Sequence, residues 1–161
     1  MSFEEIYESY FSSVYKFVKM KTRNNMNSED ITVNIFENIY KNLESYSCEK
    51  GSLDVWIFAI ARNEIISFYR KNKIQTVSMD NIAEASDISM APEVVIDSKV
   101  NNKELVEAID TLNENERQVI TYKYGAGLKN TEIAKLMEIS SSNVGVVLFR
   151  SIKKLQKKLE V

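Results

Sequence analysis

The stretch Leu128–Leu155, LKNTEIAKLMEISSSNVGVVLFRSIKKL, predicts two short helices joined by a tight turn. Its apolar residues recur at spacings of three and four, as expected for helices that bury one face against each other. They are Ile133, Ala134, Met137, then Ile139 in the connection, then Val144, Leu148, Ile152 and Leu155. Ser140 is the predicted N-cap of the second helix, because its hydroxyl can accept a hydrogen bond from a free backbone amide. The pattern is that of a helix-turn-helix, whose second helix enters the DNA major groove.

The composition indicates a soluble globular chain. Of its 161 residues, 44% are apolar and 27% are charged, which is typical of packed domains rather than disordered chains. One proline and four glycines favour helices over a turn-rich β architecture, and we find no strong alternating strand pattern. We therefore predict an all-α fold.

The same composition provides few residues that could form a metal site, a cofactor site or a disulfide. Cys48 is the one cysteine and the chain has no histidine, so a zinc site has almost no ligands and no internal disulfide can form. We also find no phosphate-cradling glycine loop or nucleophile arrangement, so we predict neither a catalytic site nor a bound cofactor.

The N-terminus and the apolar runs favour a cytoplasmic protein with no membrane insertion of its own. Glu4, Glu5 and Glu8 stand where a secretory signal would carry cations. The longest uninterrupted apolar run, at 55–61, is far shorter than the ~20 residues of a membrane span.

Charge is unevenly distributed along the chain, although the net charge is only −2. Residues 62–73 hold four cations and one carboxylate, a net +3, and residues 141–161 hold five cations and one carboxylate, a net +4. Residues 76–98 hold five carboxylates and no cation. Because the distribution of charge matters more than its sum, a nucleic-acid partner is compatible with this slightly acidic chain.

Helical periodicity divides the chain into two small helical domains. The first, predicted at 1–74, contains three helices, at 3–22, 28–45 and 53–72. The second, predicted at 103–161, begins with a helix near Lys103. Asn113 and Glu116 then resemble a capping box at the start of the next helix, which ends at Gly125 and Gly127, and the helix-turn-helix follows.

The predicted linker at 75–102 loses this periodicity. It contains Pro92, the only proline, together with the five carboxylates of the acidic segment. A connection of this length inside one compact domain is uncommon, so a flexible linker at a domain boundary is the better interpretation.

These motifs, in this order, resemble the extracytoplasmic-function (ECF) group of bacterial sigma factors, the small two-domain members of the sigma-70 family. Phe3–Asn24 is similar to the first helix of the family's domain two, and Ser28-Glu29-Asp30-Ile31 through Leu43 is similar to the helix that docks on the polymerase clamp. The run Gly51-Ser52-Leu53-x-x-Trp56-Ile57-Phe58-x-Ile60-Ala61-Arg62-Asn63 is close to the most distinctive motif of the family. Leu112–Leu155 resembles domain four, so the resemblance covers nearly the whole chain.

The resemblance implies a promoter-specificity subunit that binds core RNA polymerase and promoter DNA, both as duplex and as melted single strand. The implied polymerase-binding residues are Asp30, Asn34, Phe36 and Tyr40. Those implied for the downstream promoter element are Tyr46, Arg62, Asn63, Ser67, Arg70 and Lys71. Those implied for the upstream element are Ser141, Ser142, Asn143, Val146, Arg150, Lys153 and Lys154. It also implies an inhibitory partner, an anti-sigma factor, and a linker whose acidity mimics nucleic acid inside the polymerase.

Several of these residues also have a purely structural interpretation. Asn143 can read adenine or only cap a helix, and Val146 can touch a thymine methyl group or be an ordinary surface residue. Arg150, Lys153 and Lys154 can hold phosphates or form a solvated basic face. Tyr46 can receive an unstacked base or fill the small core.

The chain departs from the family pattern at several positions. Val33-Asn34 replaces the usual Gln-Glu of the docking helix, and Gly145 and Val147 replace the usual Lys and Arg of the recognition helix. Glu138 stands at the turn position that usually holds glycine. These changes predict weak binding to the upstream element by the isolated module, with polymerase supplying avidity.

Two other classes of function remain compatible with the residues. A free-standing helix-turn-helix activator would bind operator DNA unaided, and it would not need the Trp56–Asn63 run. A helical interaction protein would bind no DNA at all, and its complexes would not weaken steeply with salt.

Overall fold

In the computed structural model, the described residues are 2–23, 25–75 and 102–159. They form two compact units, and they contain helices and turns but no strand. The all-α prediction and the prediction of two helical domains are therefore confirmed. Apart from its two end residues, the predicted linker at 75–102 lies outside the described residues.

The described part of the N-terminal unit contains three α-helices: α1 (Phe3–Thr22), α2 (Asn25–Asn42) and α3 (Leu53–Gln75). Ser2 and Glu5 begin α1 with reciprocal capping hydrogen bonds, and Arg23 ends it in the left-handed conformation. The prediction of α2 was three residues too late, since Ser28 lies inside the helix with its buried hydroxyl against that of Thr22. Residues Leu43–Ser45 form a separate 3₁₀ turn.

The core of this unit consists of aliphatic and aromatic side chains from all three helices. Phe17 of α1 and Phe58 of α3 meet edge to face, with ring centroids 5.4 Å apart. Hydrogen bonds at the rim also join the helices: the Tyr10 hydroxyl donates to Asp54 Oδ1 over 2.6 Å, and the Tyr69 hydroxyl donates to the Thr22 carbonyl over 3.2 Å. These links fix the face that α3 presents to solvent.

Residues 102–159 of the C-terminal unit contain four α-helices: α4 (Asn102–Asp110), α5 (Glu114–Ile120), α6 (Asn130–Met137) and α7 (Ser141–Leu159). A π-helical turn at Thr121–Gly125 follows α5, and Gly127, with φ 71°, turns the chain towards α6. Buried Ala108, Leu112, Ile120 and Leu155 form a core cluster that joins α4, α5 and α7. The predicted capping box of α5 is present, because the Glu116 amide donates to Asn113 Oδ1 (2.9 Å) and the Asn113 amide donates to Glu116 Oε1 (3.0 Å).

The turn between α6 and α7 has the predicted cap. The Asn143 amide donates to the Ser140 hydroxyl oxygen over 3.0 Å. Glu138 ends α6 in the left-handed region, with φ 57°, where glycine is otherwise favoured. The Ile139 amide donates to the Ala134 carbonyl over 3.1 Å and closes the end of the helix.

Candidate nucleic-acid interface

Helix α7 turns a narrow apolar stripe towards the core and a broad face towards solvent. Val144, Ser151 and Leu155 are buried along the stripe. At about 100° per residue, Ser142, Val146 and Lys153 lie roughly opposite them. The residues predicted for the upstream element are all exposed; they are Ser141, Ser142, Asn143, Val146, Arg150, Lys153 and Lys154. Their side chains can therefore enter a groove without unpacking the unit.

Phe149 belongs to the same outer face, and sequence reasoning missed it. Its side chain is 62% exposed, while that of Val146 is 46% exposed. The ammonium of Lys153 lies 5.1 Å from the centre of the Phe149 ring, within the range of a cation–π contact. The spacing 142, 146, 149, 153 is the signal that could have identified it, because these positions form one stripe of a helix.

Lys154 lies at the side of α7 rather than on its outer face. Its ammonium is 2.8 Å from Oε2 and 3.0 Å from Oε1 of Glu116, whose side chain is only 7% exposed. Burial by itself raises the pKa of Glu116. The hydrogen bonds from Lys154 and from the Asn113 amide, with the charges of Lys154 and Arg150, outweigh it and lower the pKa below its ordinary value. Glu116 is therefore held as a carboxylate between α5 and α7.

A second polar and cationic face runs along α3. Buried Ile57, Phe58, Ala61 and Ile65 mark its inner side. At about 100° per residue, Asn63 and Arg70 lie opposite them, with Ser67 beside them and Arg62 and Lys71 towards the two flanks. Asn63, Arg70 and Lys71 are exposed, whereas Arg62 and Ser67 are half-buried. The structure thus places Asn63, Ser67 and Arg70 on one surface.

Two further features shape the α3 face. Glu64, the carboxylate among these cations, accepts a hydrogen bond from the Asn38 amide of α2, which directs its charge towards the neighbouring helix. Ile66 and Tyr69 are about half-exposed beside Arg70, and neither was predicted as a site residue. Apolar and aromatic side chains between cations are the composition of surfaces that bind single-stranded nucleic acid.

Tyr46 lies in the segment between α2 and α3, against the start of that helix. Its ring centroid is 5.2 Å from that of Trp56, and its hydroxyl donates to the Gly51 carbonyl over 3.2 Å. Both side chains are half-buried, so Tyr46 neither fills the core completely nor extends freely. Cys48 in the same segment is exposed.

The outer side of α2 continues into an aromatic groove against α1. The groove has a volume of about 410 Å³, and its principal walls are Phe3, Tyr7, Phe11, Val33 and Tyr40. Tyr40 is 67% exposed and Val33 is 58% exposed, and Asp30 and Asn34 are exposed on the same helix. Aromatic side chains from α1 had not been predicted as part of this surface.

Phe36 requires a correction to the predicted docking face. It is only 4% exposed, because its ring packs 5.0 Å from that of Tyr7 and 5.9 Å from that of Phe11. It therefore forms the floor of the aromatic groove rather than a surface contact. Phe36 lies about 240° around α2 from Asp30, so the two residues are on different sides of the helix.

No group of histidine, cysteine and acidic side chains suited to holding a metal ion occurs among the residues that the structure describes. Within those same residues, none of the helices is long and apolar enough to cross a membrane.

Comparison with known families identifies both units. Residues 6–74 match Sigma-70 region 2, and residues 102–155 match Sigma-70, region 4. The chain belongs to the sigma-70 family. It is 29% identical over 160 residues to the ECF RNA polymerase sigma factor SigM of Bacillus subtilis, with 97% of this chain and 94% of SigM covered. It is 25% identical over 169 residues to the ECF sigma factor SigX of the same bacterium, with 99% of this chain and 84% of SigX covered.

The fold comparison agrees with this assignment. The sigma factor RpoE from Bartonella quintana, whose structure was solved in complex with the anti-sigma factor NepR, has a TM-score of 0.74 and 18% sequence identity. The match covers 99% of this chain and 97% of that chain. The predicted resemblance to ECF sigma factors is confirmed, and the chain is an alternative sigma factor.

Two departures from the sigma-factor pattern can now be located. Val33 is an exposed apolar residue at the edge of the aromatic groove, where the family pattern has a polar residue, so the outer side of α2 is more apolar. Gly145 lies inside α7, where an added Cβ would be 4.0 Å from Asn130 Nδ2, an ordinary contact distance. The glycine is therefore not required by packing within the unit.

Proposed function

We propose that this sigma factor binds core RNA polymerase through α2 and the aromatic groove, and directs it to promoters through α3 and α7. The observation that carries the proposal is that each unit leaves one polar, cationic helix face exposed, Asn63 to Lys71 in the first and Ser142 to Lys153 in the second. Two such faces in one chain suit two separated promoter elements, which a single helix-turn-helix could not both reach.

At the upstream element, the start of α7 reads bases and its middle holds phosphates. Asn143 is exposed in the first turn of the helix, where an amide side chain can bond an adenine edge. Val146 and Phe149 offer apolar surface to thymine methyl groups. Arg150 and Lys153 are exposed cations suited to the flanking phosphates.

At the downstream element, α3 binds a strand that has been separated from its complement. Arg70 and Lys71 attract phosphates, while Asn63 and Ser67 can form hydrogen bonds with base edges. The half-buried pair of Tyr46 and Trp56 lies at the start of α3, where an unstacked base could stack against the exposed part of the rings. Such stacking contributes about 1–3 kcal/mol per base, comparable to the few kcal/mol needed to open a base pair.

The polymerase-facing surface combines polar and apolar contacts. Asp30 and Asn34 supply the polar part, while Val33 and Tyr40 supply exposed apolar area beside the groove. Interfaces of this kind concentrate binding energy in a few aromatic anchors, and Tyr40 is the best candidate. The sigma factor has no catalytic role in this proposal, and it works in the cytoplasm, where core polymerase and promoter DNA are found.

Run-off transcription with purified core polymerase tests the proposal. The templates are genomic DNA fragments that the holoenzyme, reconstituted from core polymerase and this chain, selects by binding. On these templates we expect promoter-specific transcripts from core polymerase and this chain alone. Transcripts that appear only after another sigma factor is added would instead favour a free-standing activator. Tyr40→Ala should reduce transcription at limiting core, because the loss of an aromatic anchor costs about 2 kcal/mol or more of binding energy.

We also propose that an inhibitory partner holds this sigma factor until a signal arrives, as the complex of RpoE with the anti-sigma factor NepR suggests for that relative. The aromatic groove favours this function, because exposed aromatic grooves accept the apolar face of a partner helix. Co-purification from cells followed by addition of core polymerase tests it. A partner that binds Tyr7→Ser as tightly as the wild type would exclude the groove as its site.

A further inference from the structure

The ion pair between Glu116 and Lys154 joins two elements of the C-terminal unit through one buried carboxylate. Oε1 accepts the Asn113 amide that begins α5, and both carboxylate oxygens lie within 3.0 Å of the Lys154 ammonium on α7. The Glu116 side chain is only 7% exposed, whereas that of Lys154 is 56% exposed. The N-terminal cap of α5 and the Lys154 side chain of α7 therefore contact the same group.

The position of Lys154 on the helix explains why it reaches α5. Next to it, Leu155 is buried in the cluster with Ala108, Leu112 and Ile120. At about 100° per residue, Lys153 points away from the buried stripe of α7, whereas Lys154 lies roughly at a right angle to it. The two adjacent lysines thus have different surroundings. Lys153 lies in solvent over the Phe149 ring, whereas Lys154 pairs with a buried carboxylate.

The energetics favour keeping this pair intact during DNA binding. A phosphate that drew Lys154 away from Glu116 would leave a largely buried carboxylate without its cation, and an uncompensated buried charge is destabilising. Binding of a phosphate to Lys153 separates no such pair, because the Lys153 ammonium is exposed over the Phe149 ring. Phosphates should therefore bind Lys153 and leave Lys154 in place.

We infer that Glu116 is a positioning residue for the upstream-element interface, and that Lys154 is its anchor on the recognition helix rather than a phosphate contact. This inference rests on the proposed function and changes the role assigned to Lys154. Glu116 fixes α7 against α5 and so determines which residues of the outer face reach the groove.

The salt dependence of promoter binding separates the two lysines. Each phosphate contact contributes about 0.9 to the slope of log K against log salt concentration. With reconstituted holoenzyme and a duplex promoter fragment, Lys153→Met should lower the slope by about this amount, and Lys154→Met by less than half of it. Glu116→Gln should steepen the slope by about 0.9, because it frees Lys154 while a glutamine still completes the capping box. Lys154→Arg should retain the wild-type slope.

A thermal double-mutant cycle on the free chain gives a readout that needs no DNA. Glu116→Gln and Lys154→Met should be strongly non-additive in unfolding temperature, whereas Glu116→Gln and Lys153→Met should be additive. The inference is overturned if Lys154→Met lowers the salt slope as much as Lys153→Met, if Glu116→Gln leaves it unchanged, or if the cycle shows no coupling. A wild-type holoenzyme without promoter affinity would overturn the proposed function as well, so the two failures are distinguishable.

Discussion

Glu116 makes the stability of the C-terminal unit depend on pH. Its folded-state pKa lies below the ordinary value of 4.5, so its contribution is fully present above pH 4.5 and is lost as the pH falls through the folded-state pKa. We expect the unfolding temperature of this unit to fall with decreasing pH in that acidic range. In Glu116→Gln this dependence should be smaller. Calorimetry at a series of pH values measures it, and equal dependences in the wild type and the variant would contradict the prediction.

Val146 and Phe149 should make promoter binding sensitive to thymine methyl groups. Replacing a contacted thymine of the upstream element by uracil removes one methyl group and nothing else. Burial of such a group is worth about 0.8 kcal/mol, so wild-type affinity should fall roughly fourfold. In Val146→Ala or Phe149→Ala the same replacement should have a smaller effect, because the apolar partner is already reduced. If replacing each thymine of the element by uracil in turn leaves the affinity unchanged, recognition through thymine methyl groups is excluded.

At the scale of the helix, two glycines of the C-terminal unit should respond in opposite ways to alanine. Gly145 lies inside α7, where an added Cβ would meet no atom closer than ordinary contact distance, so Gly145→Ala should stabilise the unit by up to about 1 kcal/mol and raise its unfolding temperature by roughly 4–8 °C. Gly127 has a φ of 71°, so Gly127→Ala should destabilise the unit by about 1 kcal/mol or more. Thermal unfolding of the matched pair tests this, and stabilisation by both changes would show that the left-handed turn at Gly127 carries no strain.

Helix formation and capping could be predicted from sequence where the determinants are local. The α5 capping box, the Ser140 cap and the burial of Val144 and Leu155 follow from spacing within a few residues. Contacts between helices could not be predicted in the same way. Phe36 and Lys154 both read as surface residues on their own helices, yet one packs beneath α1 rings and the other pairs with a carboxylate 38 positions earlier.

The face of a helix that remains exposed is the least predictable part of the candidate site. Phe149 is a residue type expected in the core, but it is exposed because the inward-facing stripe of α7 runs through positions 144, 148, 151 and 155 instead. The α1 aromatics Tyr7 and Phe11 likewise read as core, and they line an open groove because α2 covers only one side of them. A single sequence gives the period of a helix, but it does not show which neighbours cover it.

At the scale of the whole molecule, the proposed function makes specificity depend on two modest interfaces in one chain. Each candidate interface offers a few side chains able to contact bases and a few cations, and neither Gly145 nor Val147 adds a cation to α7. Neither unit is therefore expected to locate a promoter by itself. Binding by the first unit raises the effective concentration of the second at its own element, and this linkage multiplies affinity without any new contact.

Separating the two units should therefore abolish most promoter-specific transcription even though both remain folded. Fragments 1–74 and 103–161, mixed with core polymerase at equal concentrations, should give at least about 100-fold fewer run-off transcripts than the intact chain, since tethering contributes about 10²–10⁴ to avidity. Thermal unfolding of each fragment verifies that its helices persist, and raising both concentrations should restore part of the activity. If the unlinked fragments match the intact chain at low concentration, the covalent connection is dispensable and promoter recognition depends on one unit held by polymerase.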